Sequence, residues 1–207
     1  MTDYWEDEEL MLAAGHGDRG AFGILVERHH YAIVQFAYRF LATPDRDTAE
    51  DLAQEVFLAA WKAAPTFRPK AKVLTWLLRI NTNICINYLR DSRLRKVASL
   101  DGGGIPQPPG PDTDCPETQI IGWEQAEKVR IAIADLPPNQ RAAMLLRHFQ
   151  ELSYAEIADV LDTSVSAVES LLFRARRTLH ANLALENDYT PQVFPEDRVI
   201  YLQKKAT

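Results

Sequence analysis

The stretch LSYAEIADVLDTSVSAVESLLFRARRTL, residues 152–179, decides how the rest of the chain is read. Two short helical patterns meet in it at Asp162-Thr163-Ser164, and the second ends in arginines. Ser153 followed by Glu156 has the form of a capping box, in which each side chain satisfies the other's backbone N–H. Ala155, Ile157, Ala158, Val160 and Leu161 give the first helix an inner face, and Val165, Val168, Leu172 and Ala175 give the second its own. Ser166, Glu169, Ser170, Phe173, Arg174 and Arg177 then lie on the outer side. Such a side suits a major groove, where arginine pairs with guanine or a phosphate and glutamate accepts from cytosine N4. A solvated hairpin that only closes a core carries the same pattern, so the remainder of the chain must discriminate.

At 207 residues the chain holds one large domain or two small ones. Its 46% hydrophobic and 25% charged residues are ordinary for a globular protein. The net charge of −6 opposes a uniformly basic binder, but it hides an asymmetry. Asp3, Glu6, Asp7, Glu8 and Glu9 stand in the first ten residues with no base. Residues 62–96 carry Lys62, Arg68, Lys70, Lys72, Arg79, Arg90, Arg93, Arg95 and Lys96 against Asp91 alone. That is the footprint of a phosphate-binding face.

The two cysteines form no CxxC pair and no zinc-spaced cluster. Cys85, inside an apolar helical pattern, reads as a small buried hydrophobe, and Cys115, in a Pro-rich stretch, as a free thiol. The acidic start has no signal-peptide form, and no apolar run approaches the ~18 residues of a membrane span. A cytoplasmic, reducing compartment is the simplest expectation, with no cofactor, metal or small-molecule substrate.

Residues 7–96 read as helical throughout. Phe22, Leu25, Val26, His29, Ile33, Phe36, Ala37 and Phe40 make one apolar stripe. The next helix, capped by Thr43 or Asp45, turns Leu52, Val56, Phe57, Ala60 and Trp61 inward until Pro65 breaks it. A third runs from about Val73 to Arg95, with Trp76, Leu77, Ile80, Ile84 and Leu89 as its core stripe. Residues 98–119 hold Gly, Pro, Ser, Thr and acids with scarcely an apolar side chain, which predicts a linker. A second helical unit follows over 120–185, including a helix that starts at Pro137-Pro138. From 186 the helical period is lost, and the tail reads as mostly disordered, its VIYL patch being a short strand or docking peptide otherwise.

FRPKAKVLTWLLRINTNICINYLRDSRLRK, 67–96, is the second half of the case. Arg79, Asn83, Asn87 and Arg90 can line a polar face, behind a loop with Phe67, Arg68, Lys70 and Lys72. Basic groups with interleaved aromatics and amides suit single-stranded DNA, charge following the backbone while a flipped base enters a pocket.

The motifs AEDLAQEVFLAAWKA, TFRPKAKVLTWLLRINTNICINYLR and LPPNQRAAMLLRHFQELSYAEIADVLDTSVSAVESLLFRARRTL, in that order, resemble the extracytoplasmic-function (group IV) sigma factors of bacterial RNA polymerase. The resemblance covers about residues 8–184. It implies an all-α fold of two small helical domains: a region 2 bundle over 8–97 and a region 4 helix-turn-helix over 120–185, joined by the flexible 98–119 linker. The 186–207 tail lies outside the family core. The resemblance further implies that Asp51, Gln54, Glu55 and Phe57 dock the β′ clamp helices of core polymerase, Phe57 as an apolar anchor. Phe67, Arg68, Lys70, Lys72, Arg79, Asn83 and Arg90 would read and open the −10 element of promoter DNA. Ser166, Glu169, Ser170, Phe173, Arg174 and Arg177 would read −35, with region 4 also contacting the β flap. An anti-sigma factor is the implied controlling partner. The chain departs from the family pattern at Asn87, Glu169, Leu171 and Asp162, the last at a turn position often held by Gly.

A stand-alone helix-turn-helix regulator would leave the basic segment and DLAQEVF unexplained. A recombinase would need a nucleophile set in an arginine cluster, which the sequence lacks, as it lacks a P-loop and a GxGxxG. A metal sensor built on His16, His29, His30 and Cys85 is disfavoured, because adjacent histidines point to different helix faces.

Overall fold

The computed structural model describes residues 5–41, 45–69, 72–98 and 128–184, with backbone alone over 93–98 and at 184. The expectations for Thr43, Lys70, Cys115, the linker beyond residue 98 and the tail fall outside these residues.

The first helix, α1 (Asp7–Gly15), ends at a break that the sequence reading passed over. Gly17 there has φ +95, a left-handed conformation that glycine adopts at no steric cost. Gly15 backs onto the chain, since a Cβ on it would stand 2.9 Å from the Ala64 carbonyl oxygen. The long α2 (Arg19–Leu41) starts where Asp18 Oδ1 accepts from the N–H groups of Gly20 at 2.8 Å and Ala21 at 3.0 Å. Asp45 caps α3 (Arg46–Ala63), accepting from the Thr48 amide at 3.2 Å. Pro65 then forces a 3₁₀ turn, Ala64–Thr66. Helix α4 runs Val73–Ala98.

These four helices bury Leu10 and Met11, Leu25, Ile33, Phe36 and Phe40, Val56 and Ala60, and Leu77 and Leu78 in one core. The apolar stripe of α2 is as expected: Leu25, His29, Ile33, Phe36, Ala37 and Phe40 are buried, with Phe22 and Val26 half-buried. On α4 the fully buried apolar positions are Val73, Leu77, Leu78 and Cys85, while Ile80, Ile84 and Leu89 are half-buried. Burial pushes the Cys85 thiol up to about 12, so it stays protonated and inert. A polar residue sits in this core as well. Asn81 is fully buried, its amide donating to the Ile33 carbonyl at 2.9 Å and its Oδ1 accepting from the Cys85 thiol at 3.4 Å. That bond locks α4 against α2, and an unpaired amide there would carry its whole desolvation cost.

The second unit holds a helix, α5, whose described part is 128–134, then α6 (Pro138–His148), α7 (Tyr154–Leu161) and α8 (Val165–Ala184). Pro138 sits in the first turn of α6, where its missing N–H has no partner to lose. Leu136, Leu145, Leu146, Ile157, Val168, Leu172 and Ala175 close the core of this unit. Two expected inner residues, Ala155 and Val165, are exposed. Each sits in the first turn of its helix, ahead of the first fully packed residue there, Ile157 or Val168. The second unit also packs on the first, α6 against α2 and α7 against α4.

Candidate nucleic-acid interface

Three polar faces carry the candidate residues. On α4, Arg79, Asn83, Asn87 and Arg90 are all exposed and recur at spacings of four, four and three, so they line one side of the helix. Exposed Lys72 precedes them, and Arg68 is exposed in the loop before, its guanidinium bonded to the Phe67 carbonyl at 3.0 Å. Asn87, a departure from the family pattern, extends the row with an uncharged amide.

Phe67 does not present its ring to this face. It is 4% exposed and packs edge-on to Trp76, ring centroids 5.4 Å apart. The loop is therefore anchored from beneath by an aromatic pair, and Arg68 and Lys72 are what face outward. Half-buried Trp76 serves the core with one side.

On α3, Asp51, Gln54 and Glu55 are exposed on one face. Phe57 is not on it. At 7% exposure it belongs to the core and stacks on the His30 ring, centroids 6.3 Å apart. A side chain already buried against its own fold has little surface left for a partner. The apolar residue on the acidic face is Leu58, 55% exposed and one turn from Gln54 and Glu55. Its spacing was the available signal in the sequence. The resemblance points instead to Phe57, one position before it.

On α8, Ser166, Glu169, Ser170, Phe173, Arg174 and Arg177 are all exposed, while Val168, Leu172 and Ala175 on the other side are buried. Phe173 is 50% exposed, an apolar side chain held out among serines and arginines. The turn that sets this helix is made by Asp162 at φ +51, a left-handed residue that ends α7, with the Thr163 amide donating to the Ala158 carbonyl at 2.9 Å. Aspartate tolerates that conformation better than most side chains, which accounts for an acid at a glycine-like position. Ser164 then caps α8 through the Ala167 amide at 3.2 Å.

The capping box of α7 is formed as the sequence predicts. The Ser153 amide and hydroxyl donate to Glu156 Oε2 at 2.9 and 2.7 Å, and the Glu156 amide donates back to Ser153 Oγ at 3.3 Å. The amide and hydroxyl of Ser153, with a smaller contribution from Lys72, hold the Glu156 carboxyl below the usual glutamate range.

His29 and His30 have structural partners. His29 Nε2 lies 2.7 Å from Asp7 Oδ2, and His30 Nε2 lies 3.1 Å from Glu50 Oε2. Among the described residues no group of three or more His, Cys, Asp or Glu is arranged to hold a metal, and no helix is long and apolar enough to cross a membrane.

A helical bundle with an exposed basic and amide row, followed by a helix-turn-helix with an exposed second helix, is the arrangement of a two-unit promoter-binding factor. The Sigma-70 region 2 family matches residues 25–95, and the Sigma-70 region 4 family matches residues 126–179. The RNA polymerase sigma-H factor of Pseudomonas aeruginosa is 32% identical over 86% of this chain and 94% of its own length. The ECF RNA polymerase sigma-E factor of Haemophilus influenzae is 30% identical over 86% of this chain and 96% of its own. The solved structure of CnrH in complex with the cytosolic domain of CnrY superposes with a TM-score of 0.63 at 32% identity, over 87% of this chain and 99% of CnrH. The chain belongs to the extracytoplasmic-function sigma factors.

Proposed function

We propose that this sigma factor binds core RNA polymerase and directs initiation at a promoter that it reads at two elements, performing no covalent chemistry itself. The observation that carries the reading is the coexistence of two exposed polar faces, a basic and amide row on α4 and a serine and arginine face on α8, on separate helical units of one chain. In the first unit, Arg68, Lys72, Arg79, Asn83 and Arg90 take the melted −10 strand, the charges following phosphates and Asn83 bonding a base edge. Lys70 belongs to the same loop by sequence, and Phe67 supports that loop from within. In the second, Ser166, Glu169, Ser170, Phe173, Arg174 and Arg177 enter the major groove at −35. Asp51, Gln54 and Glu55 meet the β′ clamp helices, with Leu58 in place of Phe57 as the apolar contact, and the region 4 unit meets the β flap. The domain limits 8–97 and 120–185 follow from this assignment, with 98–119 as the connection through the polymerase cleft.

An anti-sigma factor that covers these faces is the expected regulator, in keeping with the solved relative CnrH, whose structure contains the cytosolic domain of CnrY. The factor acts in the cytoplasm, where its polymerase is.

Run-off transcription with purified core polymerase across a genomic promoter library tests the proposal. Transcripts that begin downstream of a shared pair of elements, only when this protein is added, are the expected result. DNA binding with no polymerase-dependent initiation would replace the reading with that of a stand-alone regulator.

A further inference from the structure

The exposed residues of α8 fall into two rows. Val165, Glu169, Phe173 and Arg177 recur every four residues along one, and Ser166, Ser170 and Arg174 along the other. Val165 is 44% exposed and Phe173 50%, so the Glu169 carboxylate stands between two bare apolar side chains, each one turn away. Among the described residues that carboxylate has no ion pair and no hydrogen bond. Arg174 and Arg177 lie five and eight residues on, beyond the three- and four-residue spacings at which helical side chains pair. Ser170 beside it adds no donor, because its hydroxyl donates to the Ser166 carbonyl at 3.0 Å. At this level of the helix the face therefore presents acceptors, and its strong donors come only with the arginines.

A carboxylate carried into a groove walled by phosphates is repelled and loses water, so it is favourable there only against a base donor. The major-groove donors are cytosine N4 and adenine N6. The adenine amino group lies between two acceptors, its own N7 and the O4 of the paired thymine. The cytosine amino group has an acceptor, guanine O6, on one side only, and a C–H edge on the other. A bare carboxylate therefore fits cytosine best, and guanine in that place meets it with acceptors alone.

We propose that Glu169 fixes one C·G pair of the −35 element by accepting from cytosine N4, while Val165 and Phe173 on either side of it take thymine methyl groups. The inference rests on the assignment of α8 to −35 and adds the bases that the helix demands. From Val165 to Phe173 the helix rises about 12 Å, close to the rise of three to four base pairs, so the row addresses neighbouring pairs. Val165, apolar and in the first turn of α8, is thereby a reading residue and not a core one. Glu169 selects in both directions, attracting one base and repelling the others.

The test uses the complete protein with core polymerase, on run-off templates that carry a promoter it initiates at, with the upstream element randomised and each transcript barcoded. Wild type is expected to favour cytosine at one position about tenfold over any other base. Glu169→Ala should flatten that position to within about twofold. Glu169→Gln keeps the size and exchanges a pure acceptor for an amide, which pairs with adenine N6 and N7, so the preference should move from cytosine to adenine. Val165→Ala should weaken a thymine preference about threefold at an adjoining position and leave the cytosine position unchanged. Asp159→Asn removes the same charge from an exposed acid of α7 and should leave every preference within about twofold.

An unshifted preferred base in Glu169→Gln would overturn the proposal. So would output that rises on all templates alike, which is what relief of a mere repulsion gives. Arg174→Ala separates the two claims. Upstream preferences that Arg174→Ala abolishes and the Glu169 variants leave alone would sink the cytosine assignment and keep α8 at −35. A wild-type library with no upstream preference at all would sink the −35 reading, and the cytosine assignment with it.

Discussion

Replacing Phe57 and Leu58 by alanine, one at a time, separates a residue that holds the bundle together from one that faces outward beside it. Phe57 is almost wholly buried in the first core and stacks on His30. Truncation removes a ring that the surrounding helices cannot fully collapse upon, so Phe57→Ala should cost about 3 kcal/mol of unfolding free energy. Leu58 is more than half exposed and contributes little to the core. Its truncation should change stability by no more than about 0.5 kcal/mol. Against a polymerase surface the same side chain would be covered, and burying it is worth about 1–2 kcal/mol, or roughly a 5- to 30-fold change in Kd. Urea unfolding followed by circular dichroism gives the first quantity, and anisotropy of labelled protein titrated with core polymerase gives the second. The expected pattern is crossed: Phe57→Ala loses stability and keeps its affinity wherever it is folded, while Leu58→Ala keeps stability and loses affinity. A Leu58→Ala protein with wild-type Kd, beside a stable Phe57→Ala protein that no longer binds, would refute the assignment of faces on α3.

Other outcomes test other parts of the structure. Ser153→Ala breaks the capping box of α7 and should lower stability by about 1 kcal/mol, read from the urea midpoint. The Glu156 carboxyl is held below its ordinary 4.5, so the folded state binds fewer protons there than the unfolded one. Its contribution is complete above that value and is lost as pH falls through the lowered folded value; this acid-side loss should shrink in Ser153→Ala, and an unchanged pH profile would contradict it. Arg174→Ala should reduce −35-dependent transcription about tenfold by removing a groove contact, and equal output across promoters would remove Arg174 from the −35 face. Gly15→Ala places a Cβ 2.9 Å from the Ala64 carbonyl oxygen, a backbone atom, and should destabilise the first unit by about 1–3 kcal/mol, visible as a lower melting temperature.

Much of the architecture was legible because it is local. The period of the apolar residues placed the helices, Asp45 and Ser153 announced their caps, and Pro65 and Pro138 marked a break and a start. The outer faces of α4 and α8 were legible for the same reason. Once a helix turns its apolar stripe inward, the residues opposite must face out, and Arg79, Asn83, Arg90, Ser166, Phe173 and Arg174 do so. Successive residues on a helix differ by about 100° in direction, so two adjacent apolar side chains such as Phe57 and Leu58 cannot both lie at the centre of the stripe. The spacing of the stripe already puts Phe57 inside, and the polymerase contact that the resemblance implies for it conflicts with that burial. Phe67 reads in the sequence as a loop residue in reach of DNA, because nothing local reveals that Trp76 lies beneath it.

An all-helical chain in two units, the charge on its faces and the family to which it belongs are all readable from the residues, since each of these is written in spacings of a few residues. Only the folded chain shows that Asn81 ties α4 to α2, that Phe67 turns inward onto Trp76, and that Arg141 caps the end of α2 across a separation of 101 residues. Contacts of that range are made by two surfaces meeting, and neither surface carries a local signature of the other.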